Sequence, residues 1–223
     1  MIERATMAQH RSRYPHPRCI YIVGAQSTGK TTLVDALRRY FDKSENCTWH
    51  GYPIPRPSII KEVARDVLRE HNYTASDITS SKTRSLSLQR LILEAQLTAE
   101  RTIESNWFVS DRSGLDPLVY AKWYVGDDAA RGLTKSAEWT ELKEHMRQSL
   151  VVLCEAGAYW LCDDGVRLMP ENKDEWMGFH DTFCAFLDEM SVGYEVLSHS
   201  TAELKDRVEF VVRSWENDSR ATS

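Results

Sequence analysis

The residues best suited to chemistry stand in one short run, Gly24-Ala25-Gln26-Ser27-Thr28-Gly29-Lys30-Thr31, which satisfies G-x-x-x-x-G-K-[ST] at every fixed position. The glycines let backbone N–H groups curl around a phosphate. The lysine ammonium then reaches the β- and γ-phosphates, and the threonine hydroxyl serves Mg²⁺. The nucleotide-binding candidates are therefore Gly24, Gln26, Ser27, Thr28, Gly29, Lys30, Thr31 and the adjoining Thr32. A glycine-rich turn with no ligand would leave Lys30 and Thr31 without a purpose.

A second run, Trp107-Phe-Val-Ser-Asp111-Arg112-Ser113-Gly114, is a hydrophobic segment that delivers an acid and then an arginine. Asp111 has three readings: a holder of Mg²⁺, a general base toward an acceptor hydroxyl, or a helix cap. Arg112 is a phosphate clamp or the partner of a surface acid. The same run satisfies D-x-x-G, which raises a GTPase as a competing class. Two observations weigh against it: Asn172-Lys173-Asp174-Glu175 carries glutamate where a guanine-reading motif needs aspartate, and about 80 residues separate Lys30 from Asp111.

These residues need elements to hold them. Arg18 to Val23 reads as a buried strand, and Leu33, Val34, Leu37 and Phe41 recur at helical spacing from Lys30 to Phe41. The unit around the motif is thus strand, tight loop, helix, which adds the helix N-terminal charge to the phosphate site. Pro53, Pro55 and Pro57 impose a loop, and Ser58 to His71 reads as a helix. A long helix is expected from about Thr83 to Glu104, and a strand over 106–110 ending at Asp111. Helices follow from about Asp116 and over 136–149, then a strand over Leu150–Cys154. An irregular polar stretch covers 155–174. A helix near 175–190, a strand over 193–197 and a helix over 201–215 close the chain. Strands alternating with helices imply an α/β fold of three layers, with a parallel sheet covered on both faces.

The chain has 223 residues, with 28 basic against 33 acidic and a net charge of -5. That balance argues against a protein that coats nucleic acid or anionic membrane. Five cysteines with no C-x-x-C pair suit a reducing, cytoplasmic setting, and seven scattered histidines give little support to a zinc site. No apolar run approaches the roughly 20 residues that span a bilayer. Residues 1–17 read as a flexible basic tail, with a transit peptide as the alternative, 18–217 as one domain and 218–223 as a second tail.

Together the phosphate loop, Glu62-Val-Ala-Arg65, the helix with Gln89 and Gln96, Ser110-Asp-Arg-Ser-Gly-Leu-Asp116 with Tyr120, and Asp163-Asp-Gly-Val-Arg167 resemble the NadR-like, ribosylnicotinamide kinase-type P-loop domains, relatives of deoxynucleoside and thymidylate kinases. The resemblance covers about residues 18 to 212. It implies a small-molecule kinase using ATP or GTP with Mg²⁺, a small-molecule acceptor as its other partner, and a homodimer as an open arrangement. Glu62 and Asp111 become the candidate bases. Arg65 stands at the acceptor pocket or in an exposed ion pair with Glu62. Gln96 reads the acceptor's base or amide, or is a solvated helix position, and Tyr120 lines the pocket. The resemblance makes residues 155–174 a lid, with Arg167 as its cation, and places adenine near Ser198-His-Ser-Thr201. A nucleotide-binding regulator and a partner-driven ATPase are the competing classes.

Overall fold

The computed structural model describes residues 17–105, 107–157 and 173–217. Five parallel strands form the central sheet: β1 (Ile20–Val23), β4 (Ser58–Ile60), β5 (Phe108–Asp111), β6 (Leu150–Cys154) and β7 (Glu195–Leu197). Their order is β4-β5-β1-β6-β7, with a separate two-stranded hairpin of β2 (Thr48–Trp49) and β3 (Tyr52–Pro53). The helices are α1 (Lys30–Phe41), α2 (Val63–Glu70), α3 (Ala75–Ser80), α4 (Lys82–Arg101), α5 (Leu115–Tyr124), α6 (Asp127–Leu133), α7 (Ala137–Arg147), α8 (Lys173–Glu189) and α9 (Leu204–Glu216).

Alternation along the central strands sorts their side chains between two cores, as the two-residue period of a strand requires. Tyr21, Val23, Val151 and Leu153 face one side, where they meet Leu93, Leu97, Leu118, Trp139, Phe179 and Phe183. Ile20, Ile22, Val109, Val152 and Cys154 face the other, against Leu33, Leu37, Phe41 and Val211. That second core includes Trp107 stacked on Trp215 with ring centroids 4.9 Å apart. Each such side chain stabilises the sheet by about 1.5–3 kcal/mol on burial. Both faces are therefore mainly apolar, and the candidate ligand chemistry gathers at the strand ends.

The structure corrects several element boundaries. Ser58–Ile60 is an edge strand paired with β5, and helix begins only at Val63, so the expected helix over 58–71 divides in two. The reason is tertiary. Ser58 N–H donates to Trp107 O at 3.1 Å, and the hydroxyls of Ser58 and Ser105 lie 2.8 Å apart. The apolar spacing of Ile59, Ile60, Val63 and Val67 suits a helix equally well. α3 was not foreseen; its entry is a capping box in which Thr74 N–H is bonded to Asp77. α4 stops at Arg101, three residues short of the expected Glu104. Lys173 and Asp174, read as part of the irregular stretch, begin α8.

Candidate active site

Gly24 leaves β1 with φ 131°, where a Cβ would lie 2.6 Å from the Cys154 carbonyl oxygen of β6. Only glycine fits so close a backbone approach. The loop then runs through Ser27 at φ 58° to Gly29 at φ 78°, which opens α1 with no side-chain cap and no acid in its first turn. The first-turn N–H groups are thus left for an anion. Lys30 is buried and folds back, its Nζ donating to Ala25 O at 2.5 Å, while Thr28 Oγ1 donates to the same carbonyl at 3.0 Å. Burial, then the nearby Arg112 guanidinium, pushes the Lys30 ammonium down to about 8 against the pull of Asp116 and Asp111.

The loop is braced from two further elements. Arg207 of α9 donates to Thr28 O at 2.9 Å, and Trp176 of α8 donates from Nε1 to Gln26 O at 2.9 Å. Neither was singled out from the sequence. Each lies more than 140 positions beyond the loop, and a tryptophan or arginine in an amphipathic helix carries no local signal of such a contact.

Asp111 ends β5 beside the loop. Its Oδ2 accepts from the Thr31 hydroxyl at 2.6 Å, and its Oδ1 is buried without a partner. The helix-capping reading fails, because α5 begins beyond it at Leu115. Arg112, at φ 81°, is half-buried between two acids, its side chain only 15% exposed. Its Nε donates to Glu62 Oε1 at 2.7 Å and its NH1 to Asp116 Oδ1 at 3.1 Å. It is therefore no surface pairing. Asp116 also accepts from Ser113 N–H at 2.9 Å. Burial pushes its carboxyl up, opposed by Arg112 and Lys30.

Glu62 sits at the N-cap of α2, where β4 delivers it to the same end of the sheet. Its second oxygen accepts from Arg65 Nε at 2.9 Å. Burial would raise this carboxyl, but Arg112 first and Arg65 next outweigh it and hold it at about 2. The group is a fixed carboxylate.

These side chains surround a cavity of about 150 Å³. Glu62, Arg65, Arg112 and Asp116 stand on its polar side; Leu68, Ile78, Leu88, Ile92 and Pro117 supply apolar wall. Gln26, Gln89, Gln96 and Tyr120 also line it. Gln96 is wholly buried, which overturns the solvated-position reading. The Gln26 side chain reaches this cavity with both amide atoms unpartnered, though its place in the loop suggested a phosphate contact. Asp111 does not line the cavity. Asp116 does, and its sequence signal was only its place after the Asp-Arg pair. Tyr124, one turn beyond Tyr120, packs against Phe179 at 5.8 Å between centroids. At the far end of the sheet edge, Glu155 accepts from Ser198 Oγ and His199 N–H, both at 2.9 Å, tying down the loop after β7. Arg167, Asp163, Asp164 and residues 158–172 of the expected lid lie outside the described residues.

Among the described residues there is no group of three metal-ligating side chains and no helix long and apolar enough to cross a membrane. The phosphate loop between β1 and α1, the parallel order β4-β5-β1-β6-β7 and the acid at the end of β5 define a member of the P-loop NTPase and kinase superfamily, an α/β fold with helices on both faces. Within it, the chain belongs to the AAA domain family, whose model matches residues 19–207. No curated protein matches the chain. Solved structures share the fold. A NadR protein in complex with NR superposes with a TM-score of 0.63 at 18% identity, over 89% of this chain and 50% of that one. A NadR protein with NAD and AMP-PNP gives 0.64 at 16%, over 90% and 50%. This chain thus spans about half the length of those NadR chains. Deoxyadenosine kinase from M. mycoides with bound dATP gives 0.55 at 13%, over 88% and 98%.

Proposed function

We propose that the protein is an ATP- and Mg²⁺-dependent kinase that transfers the γ-phosphate to a hydroxyl of a nucleoside or nucleoside-like small molecule. The observation that carries this reading is the chamber beside the phosphate loop, mostly apolar, with Glu62, Arg112 and Asp116 gathered on one side. An NTPase that only hydrolyses or switches has no use for a second chamber next to its phosphates. Structures of similar fold that hold NR, or dATP in a deoxyadenosine kinase, support the choice of a nucleoside-like acceptor.

Lys30 and the first-turn amides of α1 bind the triphosphate. Thr31 and Asp111 fit Mg²⁺: both offer hard oxygens, and the unpartnered Asp111 Oδ1 is an acceptor waiting for a cation. When bound, the ion supplies charge neutralisation at the β- and γ-phosphates. Glu62, an acceptor-only carboxylate, takes the hydrogen bond of the attacking hydroxyl and orients it. Held at about 2, it is a weak base, so it receives the proton late, after the new P–O bond has formed, the bond to the departing nucleoside diphosphate has broken and the hydroxyl has become acidic. Arg112 holds Glu62 in place and keeps a fixed positive charge near the moving phosphoryl group. Arg65 fixes the other Glu62 oxygen. Gln96 and Tyr120 contact the acceptor's head group, and Arg167 supplies the lid cation.

The test is incubation with ATP or GTP, Mg²⁺ and a panel of nucleosides including nicotinamide riboside, with phosphorylated product read by mass. A product 80 Da heavier than one acceptor is expected. Turnover indifferent to every acceptor, with GTP strongly preferred, moves the assignment to a GTP-binding regulator.

A further inference from the structure

Consecutive residues in the first two turns of α8 meet different parts of the molecule. Trp176 donates from Nε1 to Gln26 O of the phosphate loop at 2.9 Å. Met177 packs toward Gly157 beyond β6, where an added Cβ would lie 3.7 Å from its Sδ. The Trp123 indole of α5 lies over Gly178. Phe179 is wholly buried, with the rings of Tyr120, Trp123 and Tyr124 at 5.3, 4.6 and 5.8 Å between centroids. Four residues span a full helical turn, so this run points all round the helix. The start of α8 thereby joins the phosphate loop to α5.

A Cβ on Gly178 would stand 2.4 Å from Trp123 Cη2 and 3.0 Å from Cζ3, closer than non-bonded carbons come. The ring thus occupies the space that any other side chain at 178 needs. Glycine weakens a helix interior, and here it lets an aromatic ring rest on the helix backbone. The separation of packed helices follows the side chains at their contact, so this pair sets how closely α8 sits on α5. Phe179, stacked on the same indole at 4.6 Å, closes its buried side. The Thr182 hydroxyl donates to Gly178 O at 2.7 Å, one turn further along α8. α5, which presents Trp123, also brings Asp116, Pro117 and Tyr120 to the acceptor chamber.

We propose that Gly178 and Trp123 are positioning residues: the indole seated on the glycine sets the height of α8 over α5, and α8 in turn holds Gln26 and Tyr120 in register across the acceptor chamber. Both of those residues line it. The phosphate loop is also held by β6 against Gly24 and by α9 through Arg207, so a shift of α8 is felt in the chamber before it is felt at the phosphates. That the chamber receives a phosphoryl acceptor rests on the kinase reading above; the seat itself does not.

The experiment compares the full chain with Gly178→Ala, Trp123→Leu and the double variant. Amide hydrogen exchange is followed by mass spectrometry over residues 24–29 and 115–120. KM is measured for ATP and for whichever of adenosine, cytidine and nicotinamide riboside is phosphorylated, and thermal unfolding reports folding separately. Gly178→Ala should speed exchange in both segments by about fivefold, what the loss of one ordinary hydrogen bond gives. It should raise the nucleoside KM by about as much and leave the ATP KM within about twofold. Trp123→Leu empties the seat and should act in the same direction; at a part-exposed side chain, it keeps the test open if Gly178→Ala does not fold. In the double variant the methyl enters space the indole has left, so exchange and KM should return to within about twofold of the unaltered protein. Unchanged exchange in a folded single variant, additive losses in the double variant, or an equal rise of the two KM values overturns the inference and leaves the kinase reading standing. If the unaltered protein phosphorylates no nucleoside, the kinase reading falls, and the exchange measurements still decide the seat.

Discussion

Lys30 opens α1 and Asp111, bonded to the adjoining Thr31, ends β5, and their surroundings separate their tasks. Lys30 is a buried ammonium held near 8 by burial and by Arg112, so a bound triphosphate returns the charge that the apo site disfavours. The sign follows: the site binds best below about 8, where Lys30 is protonated, and weakens as the pH rises through that value. Calorimetry in buffers of different ionisation enthalpy should find ATP binding nearly proton-neutral at about pH 6.5 and coupled to uptake of close to one proton at about pH 9. Lys30→Ala should abolish binding and proton uptake together. Asp111→Asn keeps the hydrogen bond from Thr31 but loses the charge, so ATP binding should persist while transfer falls by about a hundredfold or more, measured as kcat. A fully active Asp111→Asn would remove the metal assignment. Glu62, held at about 2, stays ionised through the neutral range, so any acid limb in the rate profile above about pH 4 belongs to another group.

At the scale of elements, the phosphate loop is pinned from three directions: β6 against Gly24, α9 through Arg207, and α8 through Trp176. Gly24→Ala places a methyl 2.6 Å from a backbone oxygen that cannot rotate away, at a φ of 131° that disfavours any side chain. It should destabilise the fold by about 2–4 kcal/mol in urea unfolding and weaken ATP binding as well. Trp176→Phe keeps the ring and loses the hydrogen bond to Gln26 O, costing about 1 kcal/mol. Because Gln26 lines the acceptor chamber while its carbonyl is held from α8, this variant should raise the acceptor KM more than the ATP KM. An equal rise in both would show that α8 merely supports the loop.

For the whole molecule, the sheet gathers the described candidate side chains of its strand ends and phosphate loop at one end, as open α/β sheets do with their ligands. The family match over residues 19–207 spans this entire arrangement. Ligand and fold are therefore thermodynamically linked: ATP with Mg²⁺ at about one hundred times its Kd should raise stability by about 2.7 kcal/mol, or the melting temperature by about 6 °C. Differential scanning fluorimetry checks this, and Lys30→Ala should erase the shift. The net charge of -5 does not oppose an anionic ligand, because the field at the loop is made locally by Lys30, the α1 N-terminus and the nearby Arg207.

By itself the sequence determined the parts whose signal is local. The phosphate loop, the strand 150–154 and helix 30–41 follow from contiguous residues whose types and spacing obey backbone geometry, and the structure has them at those bounds. The Glu62–Arg65 pair is likewise a matter of helical spacing. Tertiary structure alone decided what depends on residues far apart in the chain. Ser58–Ile60 became a strand because β5 was there to pair with it. Arg112 chose Glu62, fifty positions away, over solvent. Gln96 was buried and bonded to Glu100, itself met by Tyr21 and His145 from other elements. The physical reason is that propensity and periodicity act within a few residues, whereas a buried polar group takes its orientation from whichever partners the packed fold brings within hydrogen-bonding distance.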